Sequence, residues 1–352
     1  MHDTLVIGAG QAGLATAHHL TRTGVTPLVL EAGQEATGAW PRFYDSLILF
    51  SPARHSQLPG VAFERDPDGY PSRDDVVAYL RRYANHLDAD IRTSTTVTRV
   101  TWQNGTFDVA TSTGELFTAR HVISATGGFG RPHRPQLPGL DSFTGTVLHS
   151  ADYHNPAQLP GTRLLVVGAG NSAVQIAVEL AAHAEVTLTS RRPVRWVKQR
   201  PGGRDIHDWL AWTRLQHHPA SRVLRPQGIG VLDDGTYRQA IDGGQPEWRP
   251  MFELIDGDKV TWADGTIERV DALILATGFR PQTGHLVALA GPNGDSAIDS
   301  AGLPRHRYGV SSTVPRLGFV GLEWQRGFAS ATLRGVGPDA AYVLPRVRAK
   351  SK

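Results

Sequence analysis

LVIGAGQAGLATAHHL, Leu5–Leu20, and LVVGAGNSAVQIAVEL, Leu165–Leu180, are two copies of one pattern. Each opens on a short apolar run rich in Val, Ile and Leu, passes through glycines, and continues with Ala, Leu and Val at helical spacing. Strand, tight turn and helix are predicted in that order. The first turn reads Gly8-x-Gly10-x-x-Gly13, which fits the dinucleotide fingerprint. In such a turn the first glycine bends the chain. The second lets backbone approach a pyrophosphate, and the third lets helix pack on strand. The pyrophosphate then meets free N–H groups where the helix starts, at Gln11 and Ala12. The next strand, PLVLE, ends in Glu31, followed by Ala32. A carboxylate there hydrogen-bonds ribose hydroxyls. The competing reading is an ordinary strand-to-helix turn.

The second copy reads Gly168-x-Gly170-x-x-Ala173, with Asn171 and Ser172 inside it. Counted from the first glycine, the position of Glu31 falls on Arg191, in VTLTSRRP. The acid has become a base, with Ser190 and Arg192 beside it. A carboxylate repels a ribose 2′-phosphate, whereas arginine binds one in two-pronged fashion. The first turn is therefore assigned a cofactor with a free ribose and the second NADP(H). Against this, Arg191 and Arg192 would simply form a solvated strand end. Asn171 opens the second helix, so N-capping competes with a nicotinamide contact.

A second pair of segments repeats as well. HVISATGGFG (His121–Gly130) and ALILATGFRP (Ala272–Pro281) each follow a hairpin-like stretch with its turn near Gly114 or Gly265. The order glycine turn, hairpin, ATG strand thus occurs twice. The expected fold is α/β, with two Rossmann-like dinucleotide-binding domains, the second inserted in the first. The predicted limits are 1–155 with 279–352 for a flavin (FAD) domain, and 156–278 for an NADPH domain. The chain would cross between them at Ala125, Thr126 and Gly127 and again at Ala276, Thr277 and Gly278. Two dinucleotide sites in one chain suggest a flavin and a nicotinamide exchanging electrons. The first copy is interrupted by Trp40–Asp90. The second carries an insert, Arg195–Pro250, whose Trp196, Trp209, Trp212 and Trp248 form either a lid or mere cover. The last ten or so residues are basic and expected to fray.

Composition excludes several chemistries. The 352 residues include no cysteine, which removes disulfides, thiolate metal sites and a redox thiol pair. The 36 Lys and Arg against 33 Asp and Glu leave a net charge of +3, scattered without a basic run, so nucleic acid is not expected. No apolar run reaches the ~18 residues of a membrane span. TLVIGAG starts a strand at once instead of a signal peptide, and the cytoplasm is the expected compartment. The histidine pairs His18/His19 and His217/His218 are adjacent, not spaced as ligands on one helix face, and no metal site is predicted.

GAGQAG, TGAW, ISATG, FTGTVLHSADY, GAGNSA and LATGF occur in the order found in the flavin-containing monooxygenases, and the chain resembles that family over nearly its whole length. The closest likeness is to short bacterial members without membrane anchors. Phe143, Gly145, His149 and Tyr153 match the family's F-x-G-x-x-x-H-x-x-x-Y sequence. Baeyer–Villiger enzymes end a related motif in Trp, so Tyr153 favours the branch that oxidises heteroatoms. Two positions depart from the pattern: His154 follows the motif tyrosine, and LFSPARH (Leu49–His55) lacks the Asn that commonly sits over the flavin, leaving Phe50 or Ser51 in its place.

The resemblance implies a reaction sequence. NADPH reduces FAD, NADP⁺ stays bound, oxygen adds to the flavin C4a as a hydroperoxide, and a thioether or amine of a small lipophilic substrate takes the distal oxygen. The protein supplies position and water exclusion. His149, Tyr153, Phe50 and Ser51 are the residues assigned to the chemistry. His149 is read as a junction residue coupling NADPH docking to the flavin site, or as a plain satisfied histidine. Trp40 is assigned to the flavin ring against core packing, Val97 to the adenine against a strand core, and Glu323, in VGLEWQRG, to the ribityl chain. The alternatives are ketone oxygenation of the Baeyer–Villiger type, an NADPH oxidase or reductase without oxygen insertion, and a nucleotide sensor without turnover. A homodimer is compatible with a chain of this kind.

Overall fold

The computed structural model describes residues 1–213, 216 and 230–349. The predicted His217 and His218 lie outside the described residues. The two glycine-turn copies build two separate parallel sheets. In the first sheet, β1 (His2–Ile7) pairs in parallel with β2 (Leu28–Leu30) and with β6 (Leu116–Ser124), and β2 pairs with β3 (Asp90–Arg92). Leu5–Ile7 of β1 and Leu28–Leu30 of β2 read as unbroken apolar runs because helices and loops cover both faces of a parallel sheet. The hairpin β4 (Val97–Gln103) and β5 (Thr106–Thr111) runs antiparallel into β6, turning at Gly114.

The chain then leaves this sheet. It builds a second one in the order β13 (Glu247–Pro250), β10 (Glu185–Ser190), β9 (Arg163–Val167), β17 (Ala272–Leu275), β8 (Thr146–His149), all parallel. A small antiparallel sheet, β14 (Leu254–Asp256), β15 (Lys259–Thr261) and β16 (Ile267–Arg269), packs against it and turns at Gly265. The chain returns through β19 (His306–Arg307), β20 (Val310–Ser311) and β21 (Leu317–Phe319), and β21 pairs in parallel with β6. The second sheet is thus inserted in the first.

One boundary moves. Strand β8 pairs with β17 with Leu148 opposite Ile274, so the segment before residue 155 already belongs to the second sheet. The crossing points are also not strands themselves. Strand β6 ends at Ser124 and β17 at Leu275. The real crossing is β7 (Arg131–Pro132) lying antiparallel to β18 (Phe279–Arg280). The outgoing and returning chain are therefore bound to each other.

Helix α1 (Gln11–Thr21) and helix α2 (Arg73–Asn85) cover one face of the first sheet, with Leu14, Tyr79 and Tyr83 in its core. Helix α2 is stopped at its start by a capping box between Ser72 and Asp75. Helix α3 (Asn171–Ala181) covers the second sheet. The insert forms β11 (Trp196–Lys198), helix α4 (Ile206–Thr213), β12 (Val231–Asp233) and helix α5 (Thr236–Asp242). Trp248 is not part of a lid, because it sits on β13 within the second sheet.

The tail is helical as far as Arg348 instead of frayed from its last ten residues on. Helix α6 runs from Leu333 to Arg348 despite Pro338 and Pro345 inside it. Val336, Ala340, Val343, Leu344 and Val347 form one buried face, and that packing outweighs two missing backbone hydrogen bonds. Among the described residues no helix is long and apolar enough to cross a membrane.

Candidate active site

Both glycine turns open onto one cavity of about 2050 Å³. At the first turn, Gly8 holds φ +99°, which a side chain disfavours, and a Cβ on Gly13 would lie 1.8 Å from the Gly8 carbonyl oxygen. The helix therefore packs directly on the turn. Gly8, Gly10, Gln11 and Ala12 line the cavity; Gly13 does not, consistent with a packing role. Glu31 is 7% exposed, and both its oxygens are engaged. The Ala9 N–H donates to Oε2 at 2.6 Å and the Gly33 N–H to Oε1 at 2.7 Å. The acid first orders the loop; it lines the cavity beside Ala32, and each oxygen can accept a further hydrogen bond.

At the second turn Gly168 has φ +154°, and a Cβ there would meet the Ala276 carbonyl oxygen at 2.4 Å. Gly170 differs: a Cβ on it would meet no protein atom within 4 Å. Protein packing does not require that glycine, so the space in front of it fits a ligand's pyrophosphate. Asn171 is not the helix cap. Gly170 holds that position without a side-chain cap bond, which leaves the Asn171 side chain lining the cavity with Ser172 and Ala173. Arg191 and Arg192 are exposed at the cavity rim, and His133 lies close enough to Arg191 for the guanidinium to add to the lowering of its pKa by burial. Ser190 is partly spent: its hydroxyl donates to the Arg192 carbonyl at 2.7 Å and accepts from the Trp248 indole at 3.1 Å.

Between the turns the two crossings form the cavity wall. Ala125, Thr126, Gly127, Ala276, Thr277 and Gly278 all line it. Thr126 donates to the Gln282 carbonyl at 3.0 Å and Thr277 to the His133 carbonyl at 2.5 Å, so each crossing is tied to the other half of the chain. Val97 and Glu323 line the cavity as well. The Trp40 indole donates to Gln11 Oε1 at 2.9 Å, and Gln11 Nε2 donates to the Ala331 carbonyl at 2.5 Å. The indole N–H is thus engaged within the protein, and the Trp40 ring lines the cavity. Ala331 and Trp324 hold φ +70° and +55° on the cavity wall, conformations that side chains disfavour.

Two residues assigned to the chemistry do not reach the cavity. His149 is fully buried on β8. Its Nε2–H donates to the Gly278 carbonyl at 3.1 Å, and its Nδ1 accepts the Ala151 N–H at 3.1 Å. Both ring atoms are used by a neutral imidazole, and burial lowers its pKa further. The Tyr153 hydroxyl is also buried and donates to Glu179 at 2.8 Å. The motif glycine ahead of them, Gly145, has no room for a Cβ, which would lie 2.3 Å from the Asp271 carbonyl oxygen. The motif Phe143–Tyr153 is therefore a splice that fastens β8 to β17 and holds the crossing, not a set of reacting groups. Phe50 and Ser51 do line the cavity. The Phe50 ring stacks on the His207 ring at 6.1 Å, and the Ser51 hydroxyl shares a 2.8 Å hydrogen bond with Ser56.

The sequence reading missed the insert's real contribution. Trp209 and Trp212 do not line the cavity, Trp212 being 80% exposed, whereas Ile206 and Leu210 of α4, one turn apart, do. Asp208 clamps α4 to the first half of the chain, receiving Arg54 through two nitrogens and His55 at 2.6 Å. Asp205 is filled too: Tyr70, Gln199 and His207 all donate to it. Burial works against its charge, but these hydrogen bonds hold the carboxyl well below the usual range.

His285, which lines the cavity, was not singled out in the sequence. Burial pulls its pKa from 6.5 down to about 4. The unfolded chain therefore takes up the proton first as pH falls, and stability is lost from about pH 6.5 downward to pH 4. Scanning calorimetry of His285→Gln should show a smaller fall in stability between pH 7 and 5 than the wild type, by roughly 2 kcal/mol. Equal falls would remove His285 from this account.

Comparison with known proteins bears on this site directly. The family model for pyridine nucleotide-disulphide oxidoreductases matches residues 5–210. A flavin-containing monooxygenase from Stenotrophomonas maltophilia has 33% sequence identity and a TM-score of 0.81, with 98% of each chain covered. The chain belongs to the flavin-containing monooxygenases. It is an FAD-dependent oxidoreductase that uses NADPH, and its lack of cysteine sets it apart from disulfide chemistry. It is 35% identical over 348 residues, 97% of each chain, to a protein of Geobacillus kaustophilus named an uncharacterized CzcO-like oxidoreductase. It is 30% identical over 311 residues to the indole-3-pyruvate monooxygenase YUCCA1 of rice, covering 78% of this chain and 76% of that one. Cyclohexanone monooxygenase, at 19% identity and a TM-score of 0.70, shares the fold.

Among the described residues of this monooxygenase, no group of three or more His, Asp and Glu side chains is placed to hold a metal ion.

Proposed function

We propose that this monooxygenase transfers one oxygen atom to a soft heteroatom, a thioether sulfur or amine nitrogen, of a small substrate. The observation that carries the reading is that two glycine turns of opposite charge character share one cavity. Glu31 closes the first and Arg191 stands at the second. Gly8, Gly10, Gly13, Glu31 and the face of Trp40 would hold FAD; Gly168, Gly170, Asn171, Arg191 and Arg192 would hold NADPH. FAD, when bound, supplies the electron transfer and the activation of oxygen. The chain's own residues position and enclose. His149 fixes the crossing through the Gly278 carbonyl, and Asp208 holds α4 over the cavity so that Ile206 and Leu210 exclude water.

The test is product analysis with methyl phenyl sulfide and NADPH. Sulfoxide formed in step with NADPH consumption is the expected result. NADPH consumed entirely to hydrogen peroxide would replace this reading with an oxidase. A second reading, oxygenation at a ketone or 2-oxo acid, draws on the likeness to the rice enzyme named for indole-3-pyruvate. Supplying a ketone and a thioether in competition separates the two.

Arg191→Ala should lower the ratio of kcat/KM for NADPH over NADH by roughly 10- to 100-fold, the scale of a lost charge-assisted contact to phosphate. Steady-state kinetics with both nucleotides decide it, and an unchanged ratio removes Arg191 from the phosphate site.

A further inference from the structure

Far along the chain from either glycine turn, the cavity wall holds a cation without an anion. Arg334 is the second residue of α6 and lines the cavity. Its Nε donates to Gln216 Oε1 at 2.9 Å, but its Nη2 is enclosed and has no hydrogen-bond partner. Among the described residues no carboxylate forms an ion pair with it. Asp205 is the acid whose field reaches it, yet Asp205 is already filled. Its Oδ1 accepts from the His207 ring and backbone, and its Oδ2 accepts from Tyr70 and Gln199. No acid stands in the first turn of α6, so the positive end of that helix is unopposed as well.

A half-buried guanidinium with an enclosed, unpaired N–H group costs free energy, and an anion beside it in the cavity would offset that cost. Apolar residues Ile206, Leu210, Trp324 and Phe328 line the same cavity, beside the polar Gln216, Ser330 and Thr332. The ring of Phe328 lies 6.0 Å from the guanidinium carbon. Arginine presents its N–H groups as a planar fork that matches a carboxylate. Arg191, assigned to the nicotinamide cofactor's phosphate, belongs to the other group of basic residues, with Arg131, Arg280 and His133.

We infer that Arg334 binds the carboxylate of the oxygenation substrate, which is a small organic acid with an apolar, aromatic-sized body. This rests on the monooxygenase reading and narrows its substrate class: the oxidised heteroatom or carbonyl sits on a molecule that is also an anion. Gln216 fixes the guanidinium through Nε, the part of it that lines the cavity meets the acid end, and the apolar residues take the body.

The test is a binding measurement on the FAD-loaded protein without NADPH, so that no turnover is needed. Phenylacetate, 3-phenylpropionate and indole-3-acetate are each titrated beside their neutral amides by calorimetry. At least one acid is expected to bind 10-fold or more tighter than its amide. Arg334→Met should weaken that acid by about 10- to 100-fold and leave the amide within about twofold, with Arg334→Lys recovering part of the loss. NADP⁺ affinity and FAD content should stay at the wild-type level in both variants. No acid preferred over its amide in the wild type would overturn the proposal. An equal loss for acid and amide would do so as well. A variant that sheds FAD or NADP⁺ while its melting curve stays intact would give Arg334 to a cofactor instead. Should Arg334→Met fail to fold, the wild-type acid–amide comparison and Arg334→Lys still decide. Carboxylate selectivity without any oxygenated product would sink the monooxygenase reading while leaving the anion site in place.

Discussion

Gly13→Ala should yield a colourless protein. The new Cβ would stand 1.8 Å from the Gly8 carbonyl oxygen and 2.8 Å from its carbon, distances no packing adjustment of a side chain can relieve. Either α1 moves outward or the turn at Gly8, already at φ +99°, opens. Both displace the N–H groups at Gln11 and Ala12 from the cavity wall. Overpacking of this kind costs roughly 1–3 kcal/mol or more, and the loss of a preformed anion site adds to it. Flavin absorbance after gel filtration should fall below a tenth of the wild-type ratio to protein. Gly170→Ala is the contrasting case. Its φ is ordinary and its Cβ would meet no protein atom within 4 Å, so the fold and the yellow colour should survive. What the methyl obstructs is the approach of the second dinucleotide, and KM for NADPH should rise about tenfold or more. A yellow Gly13→Ala with an unchanged melting temperature would refute the close-packed turn. A Gly170→Ala variant with wild-type KM would show that no pyrophosphate passes that point.

The two cases also mark what a sequence discloses. The glycine turns, Glu31, Arg191 and the hairpin turns at Gly114 and Gly265 are local features. Their spacing along the chain is their geometry, and the cavity brings the two glycine turns, Glu31 and Arg191 together. The placement of β8 is different. Val147 and Leu148 look alike to any parallel neighbour, and only the pairing with Leu273 and Ile274 assigns them to the second sheet. His149 then follows: its role as a joint depends on a carbonyl at Gly278, more than a hundred residues away. The insert misled for a related reason. Tryptophans are conspicuous in a sequence, but α4 turns Ile206 and Leu210 inward and leaves Trp209 and Trp212 outside. Arg334 carries no signal at all in the sequence, because an arginine near a helix start reads as solvated until the cavity and the filled Asp205 are seen. The tail misled through its basic residues, whose effect is outweighed by the buried face of α6.

Glu31→Gln should separate two duties that one carboxylate performs. In the wild type the Ala9 and Gly33 N–H groups each donate to a different oxygen, at 2.6 and 2.7 Å. Glutamine has the same shape but only one acceptor oxygen, so one of the two N–H groups must face an NH₂. A buried donor is left unpaired and a charge-assisted bond is lost, together about 2–4 kcal/mol. That part of the effect appears without any cofactor, as a lower melting temperature of the flavin-free protein. The second part appears only with FAD present. The lone pairs left free to accept are reduced along with the charge that attracts ribose hydroxyls, and the FAD dissociation constant should rise roughly 100-fold. Melting curves with and without saturating FAD divide the total between the two. If FAD stabilises the variant as much as it stabilises the wild type, the carboxylate orders the loop and does not touch the ribose. If the flavin-free melting temperature is unchanged, the two short hydrogen bonds are not what holds the loop between Ala9 and Gly33.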